Sequence, residues 1–539
     1  MSRALLPWML SVLTYAAPSS LPPFLSFPQG FMWGVAQDAY QFEGAPAYDA
    51  QGRATSALHT WCQWYVRQPG ASYQLCGDVG AGFYDHALQD VSLMANFSIS
   101  HINLEIPWSR VAPDGRTIND TAFQHYSLLI DALLAHRVTP WVSLQVLDIP
   151  QALVHAWGGW MGREMVGAYA AFAAQLFARL AGRVRNYFSF HEPNSLCASY
   201  PTGGRFVGPR PNVNDSTRQD PARDHYTCIY HTVLAHGSAA AELRSVDPGA
   251  TLSIISDAAW LIPNTTAPLD TAAASRYLAW HLGAYFEPLV TGDWPPEMRA
   301  ADPLGHRLPL FSPQESALLK GSAHYLGIDF YTTLLVAGQA FPCASPPDAQ
   351  DAFDADQCLE VLCSSSDARC PPSPNPNPKM SWLHYDPRGL RGALAWLGAR
   401  YPGTPLLVAE NGVGLDGGSR NDPESSGDLG VDTQDAQKVA ILAGFWEQAW
   451  LAVTVDGVDL RGIFVWSWLD NLEWDCGYAC HFGSVHVNHT RSDLQRTPKE
   501  SAYWIRDVIR ANGFAPNSSA VLPVAAQSER RGDKPLKVQ

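Results

Sequence analysis

Two short stretches of the 539-residue chain carry residues that could do chemistry together. Leu406-Leu407-Val408-Ala409-Glu410-Asn411-Gly412 is an apolar run that delivers a carboxylate and then a turn dipeptide. Tyr187-Phe188-Ser189-Phe190-His191-Glu192-Pro193-Asn194 has the same design. Alone, each glutamate reads as the point where a buried strand meets water. As a pair they have a second meaning. One carboxyl kept protonated and one kept ionised can serve as general acid and as nucleophile or base, the division of labour used in glycoside hydrolysis.

Such a pair needs a scaffold that brings distant strand ends together. Strands are expected at 31–36, 99–106, 139–145, 187–191, 251–256, 325–330, 406–409 and 462–467. Ala-rich amphipathic stretches fall between most of them. The clearest helix is expected at 162–181, where Val166, Tyr169, Ala170, Ala173, Leu176, Phe177 and Leu180 keep 3.6-residue spacing. Eight strands alternating with helices describe an α/β fold, a single-domain (β/α)8 barrel with long loop insertions. In that fold the catalytic groups sit at the C-terminal ends of strands. Glu192 then closes strand four and Glu410 closes strand seven, at the rim of one cup. The segment 337–378 becomes an insertion after strand six.

The composition fits a large core: 46% hydrophobic and 16% charged residues. A net charge of −15 argues against a nucleic-acid groove and against an anionic membrane surface. The 19 tryptophans suggest flat faces on which sugar rings could stack. Residues 1–20 read as a secretory signal, with Arg3 before an apolar run from Leu5 to Ala17. No later run is long and apolar enough for a transmembrane segment. Asn-x-Ser/Thr sites at Asn96, Asn119, Asn214, Asn264, Asn488 and Asn517 also point to the secretory pathway. So do ten cysteines, an even number. Four of these lie between 343 and 370, where disulfides would restrain the loop and a zinc site is the rival reading. The pairing is not deducible from the order. The barrel is expected over 21–512 and a polar, disordered tail over 513–539.

The motifs resemble those of family 1 of the glycoside hydrolases, the family of β-glucosidases, lactase and klotho. The resemblance runs from about Phe27 to Trp504. It is carried by FMWGVAQDAYQFEGA (31–45), WSRVAPDG (108–115), PQALVHAWGGW (150–160), FHEPN (190–194) and HTVLAH (231–236). It continues in LGIDFYTT (326–333), VAENGVG (408–414), FVWSWLDNLEWDCGY (464–478) and RTPKESAYW (496–504).

The resemblance implies a retaining β-glycosidase that works by double displacement and needs neither metal nor cofactor. Its partner is a small-molecule β-glycoside or oligosaccharide, and its oligomeric state is left open. Glu410 matches the nucleophile, with Ala409 where Thr is usual, and Glu192 matches the acid/base. In such enzymes the two carboxyls stand roughly 5–5.5 Å apart. Tyr331 matches the tyrosine that hydrogen-bonds the nucleophile. Gln41, Glu473 and Trp474 match groups that grip the far hydroxyls of the sugar. Trp466 matches the aromatic floor, Phe482 the closure near the 6-hydroxyl, and Trp382 the aglycone entrance.

The sequence departs from the family in the half of the pocket that faces the 2- and 3-hydroxyls. Asn103 replaces an arginine beneath the nucleophile, and Val146 replaces a histidine. His191 replaces the asparagine that holds the 2-hydroxyl, and Asp329 replaces another asparagine. Losing the arginine removes a cation that favours an ionised nucleophile, and an ionised Asp329 would add to that loss. A protonated His191 could restore the charge. The alternatives are a catalytically weak klotho-like carbohydrate- or protein-binding module and a transglycosidase of altered sugar specificity. Retention of both glutamates favours the enzyme.

Overall fold

In the computed structural model, residues 21–48, 54–68, 76–202, 220, 222–343, 351–363, 369–375, 377–416 and 433–516 are described. The signal-like segment, most of the polar tail, Asn214 and Asn517 lie outside them. The eight expected strands all form. They are β1 Met32–Gln37, β2 His101–Glu105, β3 Thr139–Ser143, β4 Asn186–His191, β5 Thr251–Asp257, β6 Leu326–Phe330, β7 Leu406–Asn411 and β8 Leu460–Val465. They close into one parallel barrel, each strand beside its neighbour in the chain and β8 against β1. The main following helices are α1 Phe83–Asn96, α2 Asp120–Ala135, α3 Glu164–Leu180, α4 Asp224–Val246, α5 Ala284–Thr291, α6 Arg388–Arg400, α7 Ala436–Thr454 and α8 Glu500–Ala511. The helix expected at 162–181 is α3, with Met165, Ala168, Tyr169, Phe172, Leu176 and Leu180 on its buried side.

Side chains that point into the barrel form its floor. Trp141, Phe188, Ile255, Leu407, Ala409 and Phe464 are fully buried together, with Met32 and Tyr325 at the edge. Trp141 stacks on Phe188 at 5.2 Å and meets the ring of Phe464 edge-on at 5.8 Å. The floor plugs the lower barrel, so any ligand is confined to the cup at the strands' C-terminal ends.

Strict alternation would not aim Glu410 or His191 into that cup. With Leu407 and Ala409 inside, Glu410 would face outward. A register shift against β6 between Val408 and Glu410 reverses the phase. β4 has the same device, a shift against β5 between Phe188 and His191. There Ser189 and Phe190 both face the helices. Ser189 Oγ bonds His236 of α4 at 2.6 Å, and Phe190 stacks on Tyr169 of α3 at 4.7 Å. His191 is thereby returned to the interior.

The insertion is more ordered than a bare loop. Thr333–Gly338 is a strand, flanked by Trp260–Pro263 and Leu359–Val361 in a small three-stranded sheet. All ten cysteines pair: Cys62–Cys76, Cys197–Cys228, Cys343–Cys358, Cys363–Cys370 and Cys476–Cys480. The zinc reading of the 343–370 cluster is thus replaced by two disulfides. At the termini, Leu25–Ser26 pairs with Gly513–Phe514, so the fold extends two residues past the expected boundary at 512. No helix among the described residues is long and apolar enough to cross a membrane.

Gly34 of β1 tests the floor. A Cβ there would stand 2.5 Å from Cδ1 of Phe464, a ring already fixed by Trp141. Gly34→Ala is expected to destabilise the protein by about 1–3 kcal/mol, read from the denaturant midpoint.

Candidate active site

Glu410 lies within β7, and Glu192 follows β4 directly, at a positive φ of 52°. That strained backbone turns the chain from strand into the helix Pro193–Thr202. The Glu192 amide donates to the Ile255 carbonyl of β5 at 3.1 Å, which fixes the turn.

Glu410 is held by two donors. Tyr331 Oη donates to Oε2 at 2.5 Å. His191 Nε2 stands 3.0 Å from Oε1 and 2.8 Å from Oδ2 of Asp329. Asp329 is the register partner of Glu410 on β6. Two buried carboxyls therefore flank one buried imidazole. Burial opposes a charge on the ring, but Asp329 and Glu410 raise His191 well above its usual range. Burial pushes Asp329 up to about 7, with His191 opposing and Glu410 adding. We assign His191 as the imidazolium, because its charge offsets the two flanking carboxyls, which share the single Nε2 proton. Nδ1 then needs an acceptor, and Asn103 is the neighbour at 3.3 Å. Turning the Asn103 amide so that Oδ1 accepts from the ring leaves its NH2 to donate to Ser143 Oγ, a contact of 2.8 Å.

This arrangement changes the expected role of His191. Both ring nitrogens are committed within the protein, so the ring is placed to hold Glu410 rather than a sugar hydroxyl. It also supplies the cation that Asn103 lacks.

Glu192 has the complementary environment. Burial raises its carboxyl well above the usual range, Asp257, Asp329 and Glu410 add to the shift, and His191 opposes it. One carboxyl is raised by burial and neighbouring acids, and the other accepts from a phenol and an imidazole.

The remaining expected residues contact one another or Tyr331 in pairs. Trp466 Nε1 donates to Glu473 Oε1 at 3.1 Å. Gln41 Nε2 donates to the Leu472 carbonyl at 2.6 Å, which ties the one-turn helix Ala39–Phe42 to the loop after β8. Trp474 stacks parallel to Tyr40 at 6.1 Å. Phe482 and Trp382 both meet Tyr331 edge-on, at 6.1 and 5.9 Å. Trp382 is 45% exposed and forms the rim, whereas Phe482 is buried. The loop bearing Glu473, Trp474 and Phe482 is anchored by buried Asp470. That carboxylate accepts from Lys499 Nζ at 2.8 Å and the Gly483 amide at 2.9 Å, and pairs with His481 at 2.9 Å and His486 at 3.0 Å. Burial opposes its charge, but Lys499 and His481 hold it well below the usual carboxylate range.

Three carboxyls near the site escaped the sequence reading: buried Asp38 and Glu105 and partly buried Asp257. Each sits at the C-terminal end of a strand, β1, β2 and β5 respectively. The signal that singled out Glu192 and Glu410, a carboxyl at the end of an apolar run, applies to all three. A cavity of about 40 Å3 borders this wall and is lined by Ala39, Tyr40, Glu105, Arg110 and Asp148 among others; neither Glu192 nor Glu410 lines it.

A closed parallel barrel with two carboxyls at the ends of β4 and β7 and an indole-lined cup is the architecture of a barrel glycosidase. The sequence model of glycosyl hydrolase family 1 matches residues 25–514, and the chain belongs to that family. It is an O-glycosyl hydrolase of the β-glucosidase type. It is 31% identical to a coniferin beta-glucosidase of Pinus contorta, covering 95% of this chain and 98% of that one. It is 32% identical to lactase/phlorizin hydrolase of Rattus norvegicus, where the match spans 93% of this chain and 25% of the relative. Among solved structures, a rice beta-glucosidase superposes with a TM-score of 0.78 at 29% identity, covering 89% of this chain and 99% of that one. A beta-glucosidase from the fungus Humicola insolens in complex with glucose superposes with a TM-score of 0.78 at 28% identity, covering 90% and 99%.

Two substitutions test the supports. Asp470→Ala leaves Lys499 buried without its counter-ion and is expected to cost about 3–5 kcal/mol of stability, measured by equilibrium unfolding. His191→Gln removes the cation at the nucleophile and is expected to lower kcat/KM by about 10²–10³, with the melting temperature reporting any loss of fold separately.

Proposed function

We propose that the chain is a secreted, retaining β-glycosidase, with Glu410 as nucleophile and Glu192 as acid/base. The observation that carries this reading is the opposed treatment of two carboxyls in one cup. Burial and neighbouring acids raise the Glu192 carboxyl well above its usual range, whereas Tyr331 and His191 direct hydrogen-bond donors at Glu410. In the first step Glu410 attacks the anomeric carbon while Glu192 protonates the departing oxygen. Water, activated by the now ionised Glu192, then attacks the glycosyl–Glu410 ester and releases the sugar. Gln41, Glu473 and Trp474 grip the far hydroxyls, and Trp466 forms the floor. A flat aglycone fits the exposed Trp382 beside Tyr331, as an aryl glycoside would supply.

The secreted location is supported by the signal-like start and the five disulfides. Asn96 and Asn119 are exposed and Asn264 is partly exposed. Asn488 is buried and its Oδ1 accepts from Thr490, which makes it a poor glycan acceptor.

Turnover is expected with aryl β-glucosides; a folded, glycosylated preparation that cleaves no aryl β-glycoside in a broad panel would sink the proposal. A 2-deoxy-2-fluoro glycoside is expected to label Glu410, identified by peptide mass. Because Glu192 must be protonated to act first, kcat/KM is expected to fall as pH rises through its raised value. With a dinitrophenyl leaving group, which needs no acid assistance, Glu192→Gln removes that alkaline limb.

A further inference from the structure

Between β1 and α1 the chain carries an aromatic surface that the reaction does not use. The helix Ala57–Tyr65 reads ALHTWCQWY, without Asp, Glu, Lys or Arg, in a chain whose net charge is −15. Ala57, Leu58, His59 and Cys62 are its buried residues. Trp61, Trp64 and Tyr65 stand at i, i+3 and i+4 and so share one face. Trp64 is 49% exposed, and Trp61 and Tyr65 are partly exposed. Single apolar side chains on a surface need no explanation, but three large rings on two turns form a patch.

The patch is rigid and lies at the catalytic end of the barrel. Trp61 stacks on Tyr65 at 4.8 Å with 11° between the ring planes, and Cys62 is bonded to Cys76. Ser56 caps the helix by accepting from the His59 amide at 3.0 Å. The Ala57 amide donates to the Ile149 carbonyl at 3.0 Å and the Leu58 amide to Asp148 Oδ1 at 3.1 Å, which seats the helix on the segment after β3. Both segments leave the barrel at the strands' C-terminal ends, the end that carries Glu192 and Glu410. The cavity of about 40 Å3 is lined by Ser56 and His59 at the start of this helix and also by Tyr40. Tyr40 in turn stacks on Trp474. Helix, cavity and the Trp474 side of the site are thus contiguous.

We propose that the Trp61–Trp64–Tyr65 face is a distal subsite for a neutral β-linked oligosaccharide, the part of a long substrate that extends out of the cup beyond the departing oxygen. The proposal rests on the glycosidase reading and specifies its substrate class. A sugar ring offers a flat C–H surface that packs on an aromatic plane, and its hydroxyls stay in water at an exposed site. A helix without formal charge suits a neutral chain, and the charge of the whole protein disfavours an anionic lipid surface as the occupant. The stacked pair and the disulfide hold the rings before the ligand arrives, so little side-chain freedom is lost on binding.

The test uses the full chain with β-1,4- and β-1,3-linked gluco-oligosaccharides of two to six units and with 4-nitrophenyl β-glucoside. In at least one series kcat/KM is expected to rise by about fivefold or more from the shortest to the longest member, through KM. Trp64→Ala is expected to remove that rise and to leave the constants for the aryl glucoside and the melting temperature unchanged. No dependence on length in either series, a rise that survives Trp64→Ala, or an equal loss on the aryl glucoside overturns the proposal. Titration of tryptophan fluorescence with the same oligosaccharides reads the subsite without turnover, and tighter binding of the longer chains that Trp64→Ala abolishes is expected. Failure of the glycosidase reading is therefore seen separately, as a loss of aryl glucoside turnover that leaves this length-dependent binding in place.

Discussion

The His191 imidazolium lies between two carboxyls that would otherwise repel one another. Asp329 and Glu410 are register partners on β6 and β7, buried where solvent cannot screen them. A charge 2.8 Å from one and 3.0 Å from the other turns that repulsion into a bridged triad. The rest of the site follows from it. Glu410 has a fixed orientation, Asp329 can be tolerated, and Asn103 needs no charge because it acts as a neutral acceptor behind the ring.

That bridge depends on the two register shifts. Without the irregularity in β4, His191 would not point into the barrel; without the one in β7, Glu410 would point at the helices. The Trp141–Phe188–Phe464 floor below and the helix contacts of Ser189 and Phe190 outside hold these irregular backbones in place. Asp470 does similar work on the opposite wall, where one buried carboxylate binds Lys499, two histidines and a backbone amide and so fixes the loop that carries Glu473 and Phe482.

The family relationship and the departures from it are compatible. The Tyr331–Glu410 contact is the one the resemblance implies, and Gln41, Glu473 and Trp466 are each tied to the loop after β8. The other side has moved charge from an arginine on β2 to a histidine on β4. This keeps a cation at the nucleophile and leaves the β1–β2 wall acidic.

By itself the sequence determined the barrel, its eight strands to within a few residues, and the two glutamates. Each rests on a local signal: a short apolar run, a helical spacing, a carboxyl at a strand's end. Tertiary structure decided what local signals cannot carry. The direction of Glu410 and His191 depends on register against neighbouring strands, which alternation along one strand predicts wrongly. The role of His191 depends on Asp329, 138 positions away, reaching the same nitrogen as Glu410. The pairing of four cysteines in the 343–370 segment as disulfides rather than as metal ligands depends on which sulfurs the small sheet brings together. Asp38, Glu105 and Asp257 carry the strand-end signal, but nothing short of the closed barrel brings them to one end of the fold.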